Sequence, residues 1–272
     1  PRGRSGAGAG HGIGAELAVA LARQGARLML AARREELLQQ VAQRCREAGR
    51  EGRGVAAEVD VQVADVADPA QCDALVARTV ARFGELDALV ANAGVSAHGW
   101  FEQVSDFGYY EQVMKVNCFG VMWCVRAALP HLKRRRGLVV GVSSLAGLVG
   151  VPGRTAYSAS KFALSGFLES LRAELRHGGS GVDVLTVYPG VVATATRVRG
   201  FGPDGRALGE SRLREDGAMS ATTCAAQMLE AMTARRRELV MTPQGKAGRW
   251  LKLLVPGMVD RMAMKALKQP GR

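Results

Sequence analysis

Ala7-Gly8-Ala9-Gly10-His11-Gly12-Ile13-Gly14 is the stretch that decides the fold of this chain. Gly8, Gly12 and Gly14 stand just before Gly14 to Gln24, whose apolar spacing reads as a helix. Glycines in that place let the backbone turn sharply and approach a phosphate resting on the helix N-terminus. Alone, such a turn is weak evidence, because a glycine-rich terminus is also plain loop. Next, however, comes a strand candidate, Ala26 to Ala31, and then Arg33-Arg34. At the end of such a strand an acidic residue would hold a ribose 2′-hydroxyl, and an arginine would hold a 2′-phosphate. Two arginines with no acid point to NADP(H) as cofactor, with Arg33 and Arg34 as the clamp. The competing reading is that the pair merely opens a solvated helix with Glu35 and Glu36.

Working outward, apolar strand-like runs alternate with longer helical patterns, the signature of βαβ units and a parallel sheet. Strands are predicted at Ala26–Ala31, Val59–Ala64, Ala88–Ala91, Leu138–Val142, Val182–Val187 and Glu238–Met241. Helices are predicted at Gly14–Gln24, Arg34–Ala48, Pro69–Phe83, Tyr109–Arg134, Tyr157–His177 and Ser220–Ala234. The expected fold is α/β: a single-domain, Rossmann-type doubly wound parallel sheet with helices on both faces. Asp65-Val66, Asn92-Ala93-Gly94 and Pro189-Gly190 follow strands at their carboxyl ends, where open α/β sheets bind ligands. One element is missing. A central first strand should feed the glycine turn, yet Pro1-Arg2-Gly3-Arg4-Ser5-Gly6 holds no apolar run. Either the start is truncated or altered, or it forms a poor strand.

The chain has 272 residues, 47% of them hydrophobic, enough for one sizeable core. Its five cysteines, an odd number with no Cys-x-x-Cys pair, suggest neither a disulfide framework nor a metal site. A reducing, cytoplasmic setting is expected, since there is no signal peptide and no unbroken apolar run of about 18 residues. The formal charge of +12 raises nucleic acid as a partner. It is dispersed in short clusters such as Lys133-Arg134-Arg135-Arg136, with no nucleic-acid-binding motif, so no nucleic-acid partner is expected.

Chemistry enters at Tyr157-Ser158-Ala159-Ser160-Lys161. On a helix, Tyr157 and Lys161 share a face. An ammonium beside a phenol favours the phenolate, which makes Tyr157 a candidate general acid/base. Taken alone, Tyr-x-x-x-Lys is also an ordinary helical pair. Ser144, at the end of the apolar run Leu138 to Ser143, faces the ligand crevice and could hold a substrate carbonyl.

Together these motifs resemble the short-chain dehydrogenase/reductase family from about Ala7 to Thr194. The family's glycine turn falls on Ala7 to Gly14, its Asn-Ala-Gly on Asn92 to Gly94, and its asparagine on Asn117 within Lys115-Val116-Asn117. Its serine falls on Ser144, its Tyr-x-x-x-Lys on Tyr157 and Lys161, and its Pro-Gly-x-x-x-Thr on Pro189 to Thr194. The resemblance implies that Ser144 orients the carbonyl or alcohol and Tyr157 exchanges the proton. Lys161 binds the nicotinamide ribose and lowers the tyrosine pKa, while Asn117 positions a water. It places Gly8, Gly12, Ile13, Gly14, Asp65, Val66, Asn92, Ala93, Gly94, Tyr157, Lys161, Pro189, Gly190 and Thr194 at the cofactor. Ala7 departs from the family's usual threonine, which bears on cofactor affinity.

Residues 195–219 form a polar, Gly- and Arg-rich insertion of substrate-lid length. Arg197, Arg199, Arg206, Arg212 and Arg214 could meet an acidic substrate group or be solvated loop charge. Residues 1–244 are read as the NADP-binding domain and 245–272 as a basic amphipathic extension. Through residues 245–268 that extension could lie on an anionic membrane, cap a lipophilic pocket, join a dimer or pack on the body. The chain is similar to the hydroxysteroid and retinol dehydrogenase branch. It is expected to be a homo-oligomeric NADP-dependent oxidoreductase that interconverts a secondary alcohol and a carbonyl on a lipophilic substrate. The alternative is a catalytically weak binding or scaffolding protein with an impaired cofactor site.

Overall fold

The computed structural model describes residues 3–7, 9–194, 196, 198–210, 217–265 and 267. Its seven strands are β1 (Gly3–Ala7), β2 (Arg27–Ala32), β3 (Val59–Val63), β4 (Ala88–Ala91), β5 (Leu138–Val142), β6 (Asp183–Tyr188) and β7 (Glu238–Val240). They form one sheet in the order β3-β2-β1-β4-β5-β6-β7, and every pairing is parallel. The order reverses between β1 and β4, and a doubly wound sheet opens its ligand crevice at such a switch point.

Alternation along the strands builds two cores. Leu28 and Leu30 of β2 face one side and pack with Leu17 and Leu21 of α1 (Gly12–Arg23) and Leu38 of α2 (Glu35–Arg53). Met29 and Ala31 face the other side, toward Leu75 of α3 (Pro69–Phe83). Period-two side-chain geometry makes this division unavoidable in a strand covered on both faces. Local chemistry sets the helix starts. Asp68 accepts the Ala70 and Gln71 N–H groups just before Pro69, an N-cap followed by proline at the first helical position.

Two expectations need correction. The start of the chain, read as truncated, altered or a poor strand and given no place among the predicted strands, forms β1 at the centre of the sheet. Gly3–Ala7 pairs in register with Arg27–Ala31, and Arg4–Ala7 pairs with Ala88–Ala91. Ladder hydrogen bonds come from the backbone, so a strand flanked on both sides can form without an apolar run. Similarly, Tyr109–Arg134 is not one helix. It divides into α4 (Gly108–Met114), a π-helical turn at Lys115–Phe119 and α5 (Gly120–Arg135). Such turns inside helices mark functional positions often enough to deserve inspection, and this one carries Asn117.

After α6 (Thr155–His177) and α7 (Ala221–Thr233), the extension folds as α8 (Pro243–Leu254) and α9 (Pro256–Lys265). α8 is seated on the body. Arg249 pairs with Glu238 at 2.5 Å and Lys252 Nζ donates to the Leu148 carbonyl at 3.1 Å. Its outer face leaves Trp250, Leu253 and Leu254 exposed, at 66%, 71% and 78%. No helix among the described residues is long and apolar enough to cross a membrane.

Candidate active site

A cavity of about 570 Å3 opens at the carboxyl ends of the strands, over the switch point. At one end lies the N-terminus of α1. Gly10, His11, Gly12 and Ile13 line it, and no acidic residue stands in the helix's first turn. Gly12 has φ of +59°, and a Cβ there would sit 3.1 Å from Thr194 Cγ2, so glycine is required for both conformation and space. Unpaired N–H groups and the helix dipole make such an end an anion site. Arg33 and Arg34, just past β2, also line the cavity, and among the described residues neither forms an ion pair with a carboxylate.

Arg199 joins them. Burial lowers the His11 pKa first, with Arg199, Arg34 and Arg33 adding to the effect. Burial, then Arg199 and Arg33, also depress Arg34. The structure therefore groups Arg199 with the arginine pair, whereas the sequence offered it to an acidic substrate group. Arg206 is exposed beside Asp204, and Arg197, Arg212 and Arg214 lie outside the described residues.

Asp65, Val66, Asn92, Ala93, Gly94, Pro189, Gly190 and Thr194 all line the same cavity. Gly14 is buried inside α1 and does not line it, and Gly8 lies outside the described residues. The segment after β6 is tied to the residues before α7. Met219 donates its N–H to Val191 O, and Ala193 donates to Met219 O, both at 2.9 Å.

At the other end Ser144, Tyr157 and Lys161 converge on the cavity. Ser144 closes β5 and its Oγ accepts the Ala146 N–H at 3.2 Å, which leaves the hydroxyl proton to donate. Tyr157 stands in the first turn of α6. Lys161, one turn on, is 4% exposed and donates from Nζ to Val142 O at 2.9 Å, so two ammonium protons remain for other partners. Burial pushes its pKa down, and Tyr157 counters that shift.

Asn117 is brought to the site but does not line the cavity. Its Oδ1 accepts the Val95 N–H at 2.8 Å, and its Nδ2 donates to Val95 O and to Ser160 Oγ, each at 3.0 Å. The fully buried carboxamide thus fastens the segment after β4 to α6. Gly94 lies in the gap between them. A Cβ there would approach Asn117 Oδ1 at 3.2 Å and Lys161 Nζ at 3.6 Å.

Sequence reasoning missed Ser96 and Arg154, which also line the cavity at 3% and 8% exposure. Arg154 follows Val151-Pro152-Gly153, where an arginine ordinarily reads as solvated loop charge. Its burial depends on the distant segment Ser96–Gly99 folding over it, which no local pattern reports.

Fold and site together place one cavity at the switch point of a doubly wound α/β sheet. The family model for short chain dehydrogenases matches residues 7–200, and the chain belongs to that family, on its hydroxysteroid-dehydrogenase-like branch. It is 41% identical over 185 residues to 11-beta-hydroxysteroid dehydrogenase-like 4A of Arabidopsis thaliana, a stretch covering 68% of this chain and 59% of that relative's length. The chain thus spans about three-fifths of that relative. It is 30% identical to dehydrogenase/reductase SDR family member 7B of Mus musculus over 96% of this chain and 80% of the relative. A short-chain dehydrogenase/reductase from Burkholderia phymatum, solved with NAD, superposes with a TM-score of 0.80 at 27% identity, over 100% of this chain and 98% of its own. An alcohol dehydrogenase from Thermococcus sibiricus, solved with 5-hydroxy-NADP, shares the fold at 23% identity and a TM-score of 0.73, over 88% and 94% of the two chains.

Proposed function

We propose that the chain is an NADP-dependent oxidoreductase that interconverts a secondary alcohol and a carbonyl on a lipophilic substrate. One observation carries the reading: Ser144, Tyr157 and Lys161 line the same cavity as the α1 N-terminus and an arginine pair without a carboxylate partner among the described residues. The donor set fits a phosphorylated dinucleotide, since backbone N–H groups and guanidinium forks suit phosphate oxygens. Gly12, Ile13, Arg33 and Arg34 would hold the phosphates, and Asn92, Gly94, Pro189 and Thr194 would lie along the rest of the cofactor. When bound, NADP(H) supplies or accepts the hydride.

The chain's own groups handle orientation and the proton. Ser144 Oγ donates to the substrate oxygen and fixes its position. Tyr157 delivers its phenolic proton to that oxygen in reduction and removes it in oxidation. Lys161, held to Val142 O, keeps a cation beside the phenolate that this step leaves. Asn117 sets the spacing between the segment after β4 and α6, and with it the Lys161 position. Leu145, Val151 and Val191 line the substrate end, which favours an apolar ligand. The pairing of β1 with β2 and β4 at the centre of the sheet supports this reading over a catalytically weak protein.

The exposed Trp250, Leu253 and Leu254, flanked by Lys246, Arg261 and Lys265, support a peripheral contact with an anionic membrane surface. Phe119, exposed at the end of the π turn, and Phe162, exposed on α6, support pairing of two copies.

The test is turnover of an 11-keto steroid with NADPH by the purified chain and by Tyr157→Phe. Loss of turnover with folding retained supports the assignment, and full turnover by the folded variant refutes it.

A further inference from the structure

Arg154 takes no part in the mechanism above, yet its guanidinium carbon lies 4.0 Å from the centroid of the Tyr157 ring. It is fixed there. Nη2 donates to Ser96 Oγ at 2.7 Å and Nε to Ala97 O at 3.4 Å, and Gly99 N–H donates to Gly153 O at 2.8 Å alongside. Lys161 Nζ lies 5.8 Å from the same centroid. Among the described residues the ring therefore has two buried cations around it, and the nearer is the arginine.

A cation over an aromatic face is attracted by the ring's negative face, more so when water is excluded. A phenolate carries a full negative charge shared between oxygen and ring, so the same cation favours phenolate over phenol. The low local dielectric strengthens that preference. We propose that Arg154 is a second cation for Tyr157: a positioning residue that clamps the ring toward the cavity and, with Lys161, stabilises the phenolate. The inference rests on the reading of Tyr157 as the proton-transfer group. It adds a connection that Lys161 alone does not make. Through Ser96 and Ala97 the clamp reaches the lid, because Phe201 N–H donates to Ser96 O and His98 N–H to Phe201 O, both at 2.9 Å.

The titratable and charged groups around Tyr157 come from several elements. Arg154 immediately precedes α6 and Lys161 lies on it, and Tyr109 and Tyr110 of α4 pack in the same apolar cluster. Cys118 in the π turn acts on Lys161, and His98 lies beside Gly153. Burial raises the Tyr109 and Tyr188 pKa values.

The experiment is an ultraviolet titration of the tyrosinate band, with the Tyr157→Phe spectrum subtracted so that only Tyr157 is read. It uses the folded chain without substrate. Arg154→Gln keeps donors for Ser96 and Ala97 but removes the charge, and should raise the Tyr157 midpoint by about one pH unit. Arg154→Lys should recover at least half of that shift. A midpoint unmoved in Arg154→Gln overturns the proposal, as do equal shifts in the two variants, because a purely structural role would not distinguish charge. If Arg154→Gln does not fold, Ser96→Ala is read instead. It releases the anchor while keeping the charge, and should raise the midpoint by a smaller amount; an unchanged midpoint overturns the proposal. Failure of the parent reading looks different. There Tyr157→Phe keeps steroid turnover while the titration still responds to residue 154.

Discussion

On the proposed reading of Arg33 and Arg34 as a 2′-phosphate clamp, removing them should abolish a preference for NADPH over NADH. Consider Arg33→Ala, Arg34→Ala and the double variant. A phosphomonoester carries about −1.5 to −2 charges near neutral pH. At about 4 Å, a pair of unit charges is worth about 1 kcal/mol in water and about 4 kcal/mol at an effective dielectric of 20. Both arginines are exposed, so the lower end governs, and about 1.5 kcal/mol per arginine is a fair expectation. That is a loss of roughly tenfold in NADPH affinity for each single variant.

The double variant should lose somewhat less than the product. Arg34 is depressed by its partial burial and then by Arg199 and Arg33, so removing one cation relieves repulsion on those that remain. A combined loss of about 50-fold is expected, with NADH affinity changed by about twofold at most. The assay is nucleotide-fluorescence titration of each variant with NADPH and NADH at one fixed salt concentration. Equal losses for both nucleotides would refute the reasoning, because they would place the arginines on a feature common to the two. A wild-type chain with no NADPH preference would refute it more directly.

Two other perturbations test the core and its buried charge. Burial holds the Lys161 ammonium below its ordinary range, so in the window beneath about 10.4 the unfolded chain binds more protons than the folded one. The Lys161 contribution to wild-type stability therefore rises with pH through that window. Lys161→Met lacks this term, so its stability relative to wild type should decline as pH rises from neutral toward that value, as read by urea unfolding; a constant difference contradicts the burial argument. Gly141 in β5 faces Leu168 of α6, and a Cβ there would overlap the leucine Cδ1. Gly141→Ala should cost about 1–3 kcal/mol and Leu168→Ala about 2–5 kcal/mol, but the double variant should cost less than their sum. Additive losses in denaturant unfolding would show that the two positions do not share space.

Much of the fold was legible because strands buried on both faces read as continuous apolar runs. Ala88–Ala91 and Leu138–Val142 are found where the pattern put them. β1 escaped because its support is a backbone ladder on both sides, and side-chain hydropathy does not report a ladder. The break at Lys115–Phe119 escaped for a related reason: a helical period continues through a π turn, so periodicity registers one long helix. Site residues were legible where chemistry dictates spacing, as with Tyr157 and Lys161 four apart. Arg154 was not, since it stands 58 residues from Ser96, whose hydroxyl accepts its Nη2. A sequence contains the arginine but not the loop that removes it from water.

The two ends of the cavity differ in the property that salt reads. Arg33, Arg34 and Arg199 are exposed, so their attraction for a phosphate is screened as the Debye length falls from about 10 Å at 0.1 M salt to about 3 Å at 1 M. Arg154 and Lys161 are 8% and 4% exposed, and their hold on Tyr157 acts over a few ångströms from which salt is excluded. Raising salt through that range should therefore erode the preference for NADPH over NADH by about tenfold. At saturating cofactor, the pH profile of turnover should stay within about 0.3 unit. Both halves need to hold. A pH profile that moved with salt in step with the cofactor preference would mean that Tyr157 titrates in a wet, screened environment, and neither buried cation could then be setting its proton affinity.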